Sequence, residues 1–176
     1  MVHEGIDRQH NNFKAMDAKK DTHVKECCHT VNKYFGSIYS QLLPGAMAKV
    51  EMVERTDKKG KFLGYGCDIE VGFNGVIKNS LELSGGQRSL LALSFLMAML
   101  RYKSAPFYIL DEIDAALDLS HTENLGSIIS NTFPNSQFII ISLKEGLYGC
   151  ANILFKTSLI DGHSKVTRII QKDARA

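Results

Sequence analysis

One continuous stretch, residues 83–118, constrains what this chain can fold into more than any other part of the sequence. It reads LSGGQRSLLALSFLMAMLRYKSAPFYILDEIDAALD. A pair of glycines opens a long apolar run, a proline separates it from a shorter apolar run, and the shorter run ends in two acidic residues. This order predicts a capped helix followed by a buried strand, with polar groups at the helix start and at the strand end.

The predicted helix start has the chemistry of an anion-binding site. Ser84 precedes Gly85 and Gly86 and is placed to cap the helix, while two residues without a Cβ leave the first backbone N–H groups uncovered. Unpaired N–H groups together with the helix macrodipole favour a bound phosphate. For so short a motif, a flexible turn before a buried helix is the alternative interpretation.

The predicted strand end carries two carboxylates. The run at residues 107–110 is typical of a central strand of a parallel sheet, and ligands of open α/β sheets bind at the carboxyl ends of such strands. Asp111 could hold Mg²⁺ beside substrate phosphates, and Glu112 could orient or deprotonate the water that attacks a γ-phosphate. A solvated acidic loop after a buried strand is the alternative.

The two motifs together resemble the ATP-binding-cassette ATPases, in which LSGGQ, a hydrophobic helix, an apolar strand ending in DE and a following LD occur in this order. The segments VNKYFGSIYSQLLPGAMA, YILDEIDAALDLSHTENLG and QFIIISLKEGLYGCANILFKT narrow the match. They resemble the carboxy-terminal half-head of structural-maintenance-of-chromosomes (SMC) proteins, and within that family the condensin type. The resemblance extends from about residue 31 to about residue 167.

This resemblance implies an α/β fold. We expect the carboxy-terminal lobe of a P-loop NTPase-like head of the ATP-binding-cassette type, with a mainly parallel sheet, an antiparallel hairpin and an amino-terminal coiled-coil or neck helix. Residues 1–42 would be the end of the coiled coil and the neck helix, and residues 43–176 would be the lobe. The implied location is the nucleus and the chromosome, with a cytoplasmic pool.

The resemblance also implies roles for individual residues. Asp111 would hold Mg²⁺, Glu112 would act on the attacking water, and Asp118 would lie in a loop that faces a partner head. The residues of the signature motif, which would meet ATP bound to the partner head, are Ser84, Gly85, Gly86, Gln87 and Arg88. The implied activity is ATP hydrolysis that drives chromosome condensation.

The implied partners are the amino-terminal half-head of the same SMC protein, a second SMC subunit, a kleisin with the other condensin subunits, and DNA. No membrane partner is expected. A DExD-box helicase would explain residues 111–114 but lacks LSGGQ, and a transporter cassette would not carry the VNKYFGSIYSQLLPGA helix.

The sequence contains no GxxxxGK[ST], the loop whose backbone and lysine cradle the β- and γ-phosphates in this class of ATPase. In SMC proteins that loop lies in an amino-terminal segment, separated from this half by a long coiled coil. We therefore expect this chain to be a piece of a longer protein and to be inactive alone. A non-catalytic scaffold that binds only a kleisin or the missing half is the alternative.

A second departure concerns the end of the predicted strand at residues 137–142. Many cassette ATPases place a histidine there that contacts the γ-phosphate, whereas this chain has Ser142-Leu143-Lys144. A leucine side chain cannot donate that hydrogen bond. The condensin and cohesin types of SMC protein also read SLK at this place.

The part of the chain before the signature motif predicts a helix and a hairpin. Apolar residues recur at heptad-like steps over residues 24–42, which indicates either the end of a coiled coil or an ordinary amphipathic helix, with Gly36 as an interruption. Residues 1–23 are compatible with helix or disorder. Strands are expected at residues 49–53 and 63–73, joined by a loop whose basic residues could meet DNA phosphates or simply be solvated.

The part after the acidic residues continues the alternation of strands and helices. A helix capped by Ser120 or Thr122 should extend to Thr132, followed by a second buried strand. A third run from Asn152 to Lys156 and a hairpin around Asp161-Gly162 should complete the sheet.

The composition excludes several classes of protein. The net charge is only +2 and 23% of residues are charged, so neither nucleic acid nor membrane binding is indicated by the totals. The four cysteines form no CxxC pair and have no zinc spacing, which favours reduced thiols in a cytosolic or nuclear compartment. The apolar run at residues 90–100 is about half the length of a membrane span.

Overall fold

The computed structural model describes residues 2–78 and 80–171. The chain forms two compact units, Met1–Lys103 and Ser104–Ala176. The elements of the first unit are α1 (Val2–Leu42), β1 (Ala46–Thr56), β2 (Phe62–Phe73), β3 (Val76–Lys78), a 3₁₀ turn (Ser80–Glu82) and α2 (Gly85–Tyr102). The elements of the second unit are β4 (Phe107–Asp111), α3 (Leu119–Thr132), β5 (Gln137–Ile141), a 3₁₀ segment (Glu145–Cys150), β6 (Ile153–Ile160) and β7 (His163–Ile170).

Helix α1 begins at Val2, so the question left open for residues 1–23 is answered as helix for all but Met1, which lies outside the described residues. It ends at Leu42, ahead of Pro44 and Gly45, as predicted. Over residues 9–42, the part of the helix whose burial is described, buried side chains lie only in the last turns, and those below 5% exposure are Val31, Phe35, Ile38, Tyr39 and Leu42. The assignment of this helix as coiled coil and neck remains a prediction.

Strands β1 and β2 form the predicted antiparallel hairpin, paired from Ala46 opposite Phe73 to the turn. The Asp57 carboxylate closes that turn by accepting hydrogen bonds from the backbone N–H groups of Lys59 and Lys61, both at 2.8 Å. The short strand β3 was not predicted. It extends the hairpin by three residues, after the turn at Asn74-Gly75.

Helix α1 lies very close to β1. A Cβ built on Gly36 would come within 2.9 Å of the Ala48 carbonyl oxygen, so only glycine leaves room for this approach. Four residues earlier, the Asn32 side chain pairs with the Val50 backbone: its Oδ1 accepts from the Val50 N–H at 2.7 Å and its Nδ2 donates to the Val50 carbonyl at 2.8 Å. Because β1 is an edge strand of its sheet, this amide satisfies groups that would otherwise lack a partner.

Helix α2 packs against α1 through an apolar face. Phe35 and Phe95 meet edge to face with ring centroids 5.4 Å apart, and Met97 and Ala98 are fully buried. At the end of α2, the Arg101 guanidinium lies 5.5 Å from the centre of the Tyr34 ring. The capped apolar helix predicted after the glycines is therefore confirmed.

The sheet differs from the expectation of a mainly parallel one. Among the described residues there are three separate sheets, and only the two-stranded pair of β4 and β5 is parallel. The strands joined by short glycine-containing turns can only pair antiparallel, and these include β6 and β7, whose turn residues Asp161 and Gly162 both have positive φ. The run around Asn152 thus belongs to its own hairpin and does not complete the β4–β5 sheet.

The β4–β5 pair is also buried on one face only. Tyr108 packs with Phe133 and Phe138 on the inner face. The opposite face exposes large apolar side chains, namely Phe107, Ile109, Ile139 and Ile141. The prediction that both strands are buried is confirmed for one face of the described pair and wrong for the other, because an apolar run does not reveal which of its faces receives a covering element.

Helix α3 begins earlier than predicted. Its N-cap is Asp118, not Ser120 or Thr122, because the Asp118 carboxylate accepts from the His121 backbone N–H at 2.9 Å. Thr122 is instead buried inside the helix, where its hydroxyl donates to the Asp118 carbonyl at 2.7 Å. The end of α3 at Thr132 is as predicted.

All four cysteines are free thiols. Cys28 of α1 and Cys67 of β2 nevertheless lie close together, with their Sγ atoms 3.3 Å apart. Burial and the neighbouring Cys67 thiol raise the pKa of Cys28 to about 11. None of the helices in the described ranges has an apolar stretch long enough to cross a bilayer.

Replacement of Gly36 by alanine tests the close approach of α1 to β1. Alanine favours helix by about 0.5–1 kcal/mol over glycine, but the added Cβ would overlap the Ala48 carbonyl, and overpacking of this kind costs about 1–3 kcal/mol. We expect Gly36→Ala to lower the free energy of unfolding measured by denaturant titration. The matched control is Lys33→Ala, an exposed position of the same helix turn, which should change it by less than about 0.5 kcal/mol. A stabilised Gly36→Ala chain would contradict this packing.

Candidate functional site

The first part of the candidate site is the turn at residues 84–88, which opens α2. Ser84 has extended backbone geometry, and its hydroxyl accepts from the Gln87 N–H at 3.2 Å, while the Gln87 side-chain oxygen accepts from the Ser84 N–H at 3.0 Å. This reciprocal pair is a capping box, which fixes both side chains at the helix start. The sequence predicted Ser84 as the cap but not the return bond from Gln87.

The two glycines of this turn face open space. A Cβ built on Gly85 or on Gly86 would meet no atom within 4 Å, and neither residue has positive φ. The fold of the first unit therefore does not require glycine at either position. Arg88, one residue beyond the capping box, is exposed and its side chain makes no hydrogen bond or ion pair with another described residue.

The second part of the site is the end of β4. Asp111 is the last residue of the strand, opposite Ile141 of β5. Glu112 follows in the left-handed region with φ 46°, and its backbone N–H donates to the Ile141 carbonyl at 2.9 Å. Both carboxylates are exposed, and neither is paired with another side chain of the described residues. A non-glycine residue in this conformation is uncommon outside Asn and Asp, and strained residues of this kind cluster at functional sites.

The loop at residues 112–118 leads from these carboxylates to α3. The Ala115 N–H donates to the Glu112 carbonyl at 3.1 Å and the Leu117 N–H donates to the Asp114 carbonyl at 3.0 Å, so the loop consists of tight turns. Asp114 is only 1% exposed, and its carboxylate accepts from the Ser142 hydroxyl at 2.6 Å. The sequence indicated nothing about this contact, because the two residues are far apart in the chain and each is unremarkable alone.

Asp118 ends the loop as the N-cap of α3. Besides the backbone N–H of His121, the His121 ring Nδ1 lies 2.7 Å from the same carboxylate oxygen. The hydrogen bond from the His121 backbone lowers the pKa of the Asp118 carboxyl below its ordinary value, and the ring strengthens that effect. Asp118 therefore stays ionised near neutral pH, with one oxygen occupied by the cap.

The structure thus divides the predicted residues between its two units. The turn at residues 84–88 belongs to the first unit, and Asp111, Glu112 and Asp118 belong to the second. Within the described residues, no group of three or more His, Cys, Asp or Glu side chains could hold a metal ion. A metal at Asp111 would therefore need ligands from elsewhere, such as phosphate oxygens and water.

The chain matches a known family model over most of its length. The model describes the RecF/RecN/SMC N terminal domain, and it covers residues 4–165. The chain belongs to the SMC family. The same residues include the capping turn at 84–88 and the acidic strand end.

Similar curated proteins are SMC proteins of eukaryotes. This SMC chain is 54% identical over 164 residues to structural maintenance of chromosomes protein 2-1 of Arabidopsis thaliana, which covers 93% of the chain and 14% of that protein. It is 50% identical over 157 residues to structural maintenance of chromosomes protein 2 of Homo sapiens, covering 89% of the chain and 13% of the human protein. The chain therefore spans about one-seventh of the length of these relatives.

Solved structures similar to this chain come from SMC proteins. One, from a study of ATP-driven dimerization and DNA stimulated activation of SMC ATPases, has a TM-score of 0.68 at 30% identity and covers 85% of this chain and 89% of its own. Another is an Smc head domain with an extended coiled coil bound to the C-terminal domain of ScpA, derived from Pyrococcus furiosus. It has a TM-score of 0.73 at 28% identity and covers 91% of this chain and 39% of its own. The mixed α/β fold thus resembles SMC head domains, as expected, although the sheet is not mainly parallel.

Proposed function

We propose that this SMC chain supplies two of the three parts of an ATP site: the acidic strand end of one site and the capped glycine turn of another. The third part, the GxxxxGK[ST] loop, would come from the amino-terminal half-head of the same SMC protein. The observation that carries the proposal is the pair of unengaged carboxylates at Asp111 and Glu112, held at the end of a parallel strand by a backbone hydrogen bond. Membership of the SMC family supports it.

The residues at the strand end fit a magnesium–phosphate group. Asp111 and Glu112 are exposed hard oxygen donors without competing partners among the described residues, and Mg²⁺ commonly uses one or two carboxylates together with phosphate oxygens and water. Asp111 would hold the ion, directly or through water. The bound ion would neutralise charge that develops on the phosphates.

Glu112 would act on the attacking water. Its carboxylate projects from the residue after the strand, where it can accept a proton from water or orient it toward a phosphate. The left-handed backbone at Glu112 and the hydrogen bond to Ile141 hold the start of that side chain in one place. Such preorganisation is a large part of phosphoryl-transfer catalysis.

The turn at residues 84–88 would meet ATP held by a second SMC subunit. The capping box occupies Ser84 and Gln87 as hydrogen-bond acceptors, but the Ser84 hydroxyl proton and the amide donors of Gln87 stay available. The open space over Gly85 and Gly86 admits a phosphate close to the helix N–H groups, and Arg88 adds positive charge beside them. Asp118 would then lie in the loop that faces the same partner.

The exposed apolar face of β4 and β5 supports the proposal that the amino-terminal half-head packs against this chain. Ile109 is 63% exposed and Ile141 is 51% exposed in strands that hold the acidic residues. Burial of such a face stabilises an association by about 25 cal/mol per Å² of apolar area. The amino-terminal half-head would cover it and bring the phosphate-binding loop to the carboxyl ends of the strands.

At the level of the assembly, we propose a condensin-type ATPase that acts in chromosome condensation. The identity to SMC protein 2 of several eukaryotes supports this assignment. Its partners would be a second SMC subunit, a kleisin with the other condensin subunits, and DNA, and its location the nucleus and the chromosome. The structural neighbours that are named for ATP-driven dimerization of SMC ATPases and for binding of ScpA support the SMC partner and the kleisin.

The role of Glu112 is tested by Glu112→Gln in the assembled ATPase, that is, the complete SMC protein with its partner SMC head. The amide cannot take a proton, so we expect ATP turnover to fall by about 10²- to 10⁴-fold while ATP binding is retained. Steady-state hydrolysis and nucleotide binding are measured together. Glu123→Gln, at an exposed position of α3, is the matched control and should turn over normally. Near-normal hydrolysis by Glu112→Gln would refute the role.

The role of the glycine turn is tested by Gly86→Glu in the same assembly. An acidic side chain in the first turn favours the helix, so the fold should be retained, but it places a negative charge where the partner's phosphate would lie. We expect ATP-dependent association of the two heads to be lost, as measured by sedimentation, with thermal stability unchanged or raised. Gly149→Glu, at an equally open glycine of the second unit, should associate normally. Association of Gly86→Glu heads equal to wild type would exclude the phosphate contact.

A further inference from the structure

Three polar residues outside the assigned roles connect the end of β5 to the loop at residues 112–118. The Ser142 hydroxyl donates to the Asp114 carboxylate at 2.6 Å, and the Lys144 backbone N–H donates to the Ser142 hydroxyl oxygen at 2.9 Å. The Lys144 side chain reaches further along the loop. Its ammonium donates to the Ala115 carbonyl at 2.9 Å and also to the Leu117 carbonyl. We call Asp114, Ser142 and Lys144 the latch.

The burial of Asp114 makes its contact with Ser142 hard to replace. This carboxylate is 1% exposed, and a buried charge is costly unless hydrogen bonds compensate for the lost water. The bond from the Ser142 hydroxyl provides part of that compensation. Since Asp114 lies two residues after Glu112, the bond ties the middle of the loop to the strand that pairs with β4.

Lys144 fixes the second half of the loop. The tight turns of the loop use the N–H groups of Ala115 and Leu117, and the carbonyls of these same two residues accept from the lysine ammonium. An ammonium has three donors and can serve both carbonyls at once. The Leu117 carbonyl immediately precedes Asp118, so this contact holds the backbone next to the N-cap of α3.

The backbone at Glu112 needs such support. A non-glycine residue at φ 46° is strained and persists only where its surroundings hold it. Its N–H is held by Ile141, the residue directly before Ser142. The chain from Ile141 to Lys144 therefore contacts the loop at its start, at its middle and at its end.

We propose that Ser142 and Lys144 are positioning residues for the hydrolysis step. They act through the loop by holding Glu112 and Asp118 in place, and this proposal rests on the ATPase function proposed above. Leu143 between them is 84% exposed and cannot donate a hydrogen bond to a phosphate. The segment after β5 therefore holds the loop at residues 112–118 through Ser142 and Lys144, while the Leu143 side chain between them is exposed.

The test is Lys144→Met in the assembled ATPase, compared with Lys144→Arg. Methionine keeps most of the side-chain length but removes all three donors, whereas arginine keeps donors that can reach carbonyls. We expect Lys144→Met to lower kcat by about 10- to 100-fold with KM for ATP within about twofold of wild type. Lys144→Arg should restore most of the rate. The control is Lys165→Met on β7, an exposed lysine without a role in the latch, which should leave kcat unchanged.

Amide hydrogen exchange on the same proteins separates positioning from other roles. Lys144→Met should exchange the amides of residues 113–118 about tenfold faster than wild type, while the amides of β5 keep their protection. This measurement does not require turnover, so it judges the latch even if the wild-type assembly hydrolyses no ATP and the proposed function fails. Unchanged exchange would overturn the latch. Faster exchange with an unchanged kcat would overturn the positioning role, and a lower kcat with unchanged exchange would show that Lys144 acts on the nucleotide directly.

Discussion

The parallel pairing of β4 with β5 is the interaction on which the acidic part of the candidate site depends. It places Asp111 opposite Ile141 in register, and one further hydrogen bond joins the Glu112 N–H to the Ile141 carbonyl. Beyond this point the segments that follow the two strands separate. The segment after β4 is the loop toward Asp118, and the segment after β5 ends in Lys144. Because parallel strands end at the same edge, residues about 30 positions apart in the sequence come to contact each other there.

The first unit depends on the close packing of α1 against β1. Helix α1 approaches β1 so closely that Gly36 has no room for a Cβ, and Asn32 completes the hydrogen bonds of the edge strand at Val50. Helix α2 then packs on the same end of α1 through Phe95. The capped turn at residues 84–88 thus projects from a helix that is anchored by its apolar face, and its glycines are left without neighbours.

Several of these features could be predicted from the sequence, and the reason is local chemistry. The Ser84 cap, the end of α1 before Pro44 and the hairpin turn at Asp57 each follow from residues within a few positions of one another. The two carboxylates at the end of β4 were found for the same reason. Their roles with Mg²⁺ and water stay predictions, as do those of the residues in the glycine turn.

The features that were missed depend on contacts between distant parts of the chain. An apolar run such as residues 107–110 predicts that a strand can be buried. Which of its two faces is buried depends on the elements that cover it, and here Ile109 remains exposed. The sequence pattern predicts Gly36 only as an interruption of a helix, whereas in the structure it allows α1 to pack closely on β1. The contact between Asp114 and Ser142 crosses 28 residues and has no local signal. The sequence predicts Asp118 only in a partner-facing loop. Asp118 and Ser120 are both residues that commonly cap helices, and only the backbone geometry shows that Asp118 is the cap of α3.

The central claim is that this chain holds part of an ATP site that another segment must complete. The most direct measurement is ATP hydrolysis by the chain alone, by the chain with the amino-terminal half-head of the same SMC protein, and by that pair with a partner SMC head. The account predicts no turnover for the chain alone and turnover when all the parts are present. Tight ATP binding and hydrolysis by the chain alone would contradict it, and so would a complete assembly that neither binds nor hydrolyses ATP.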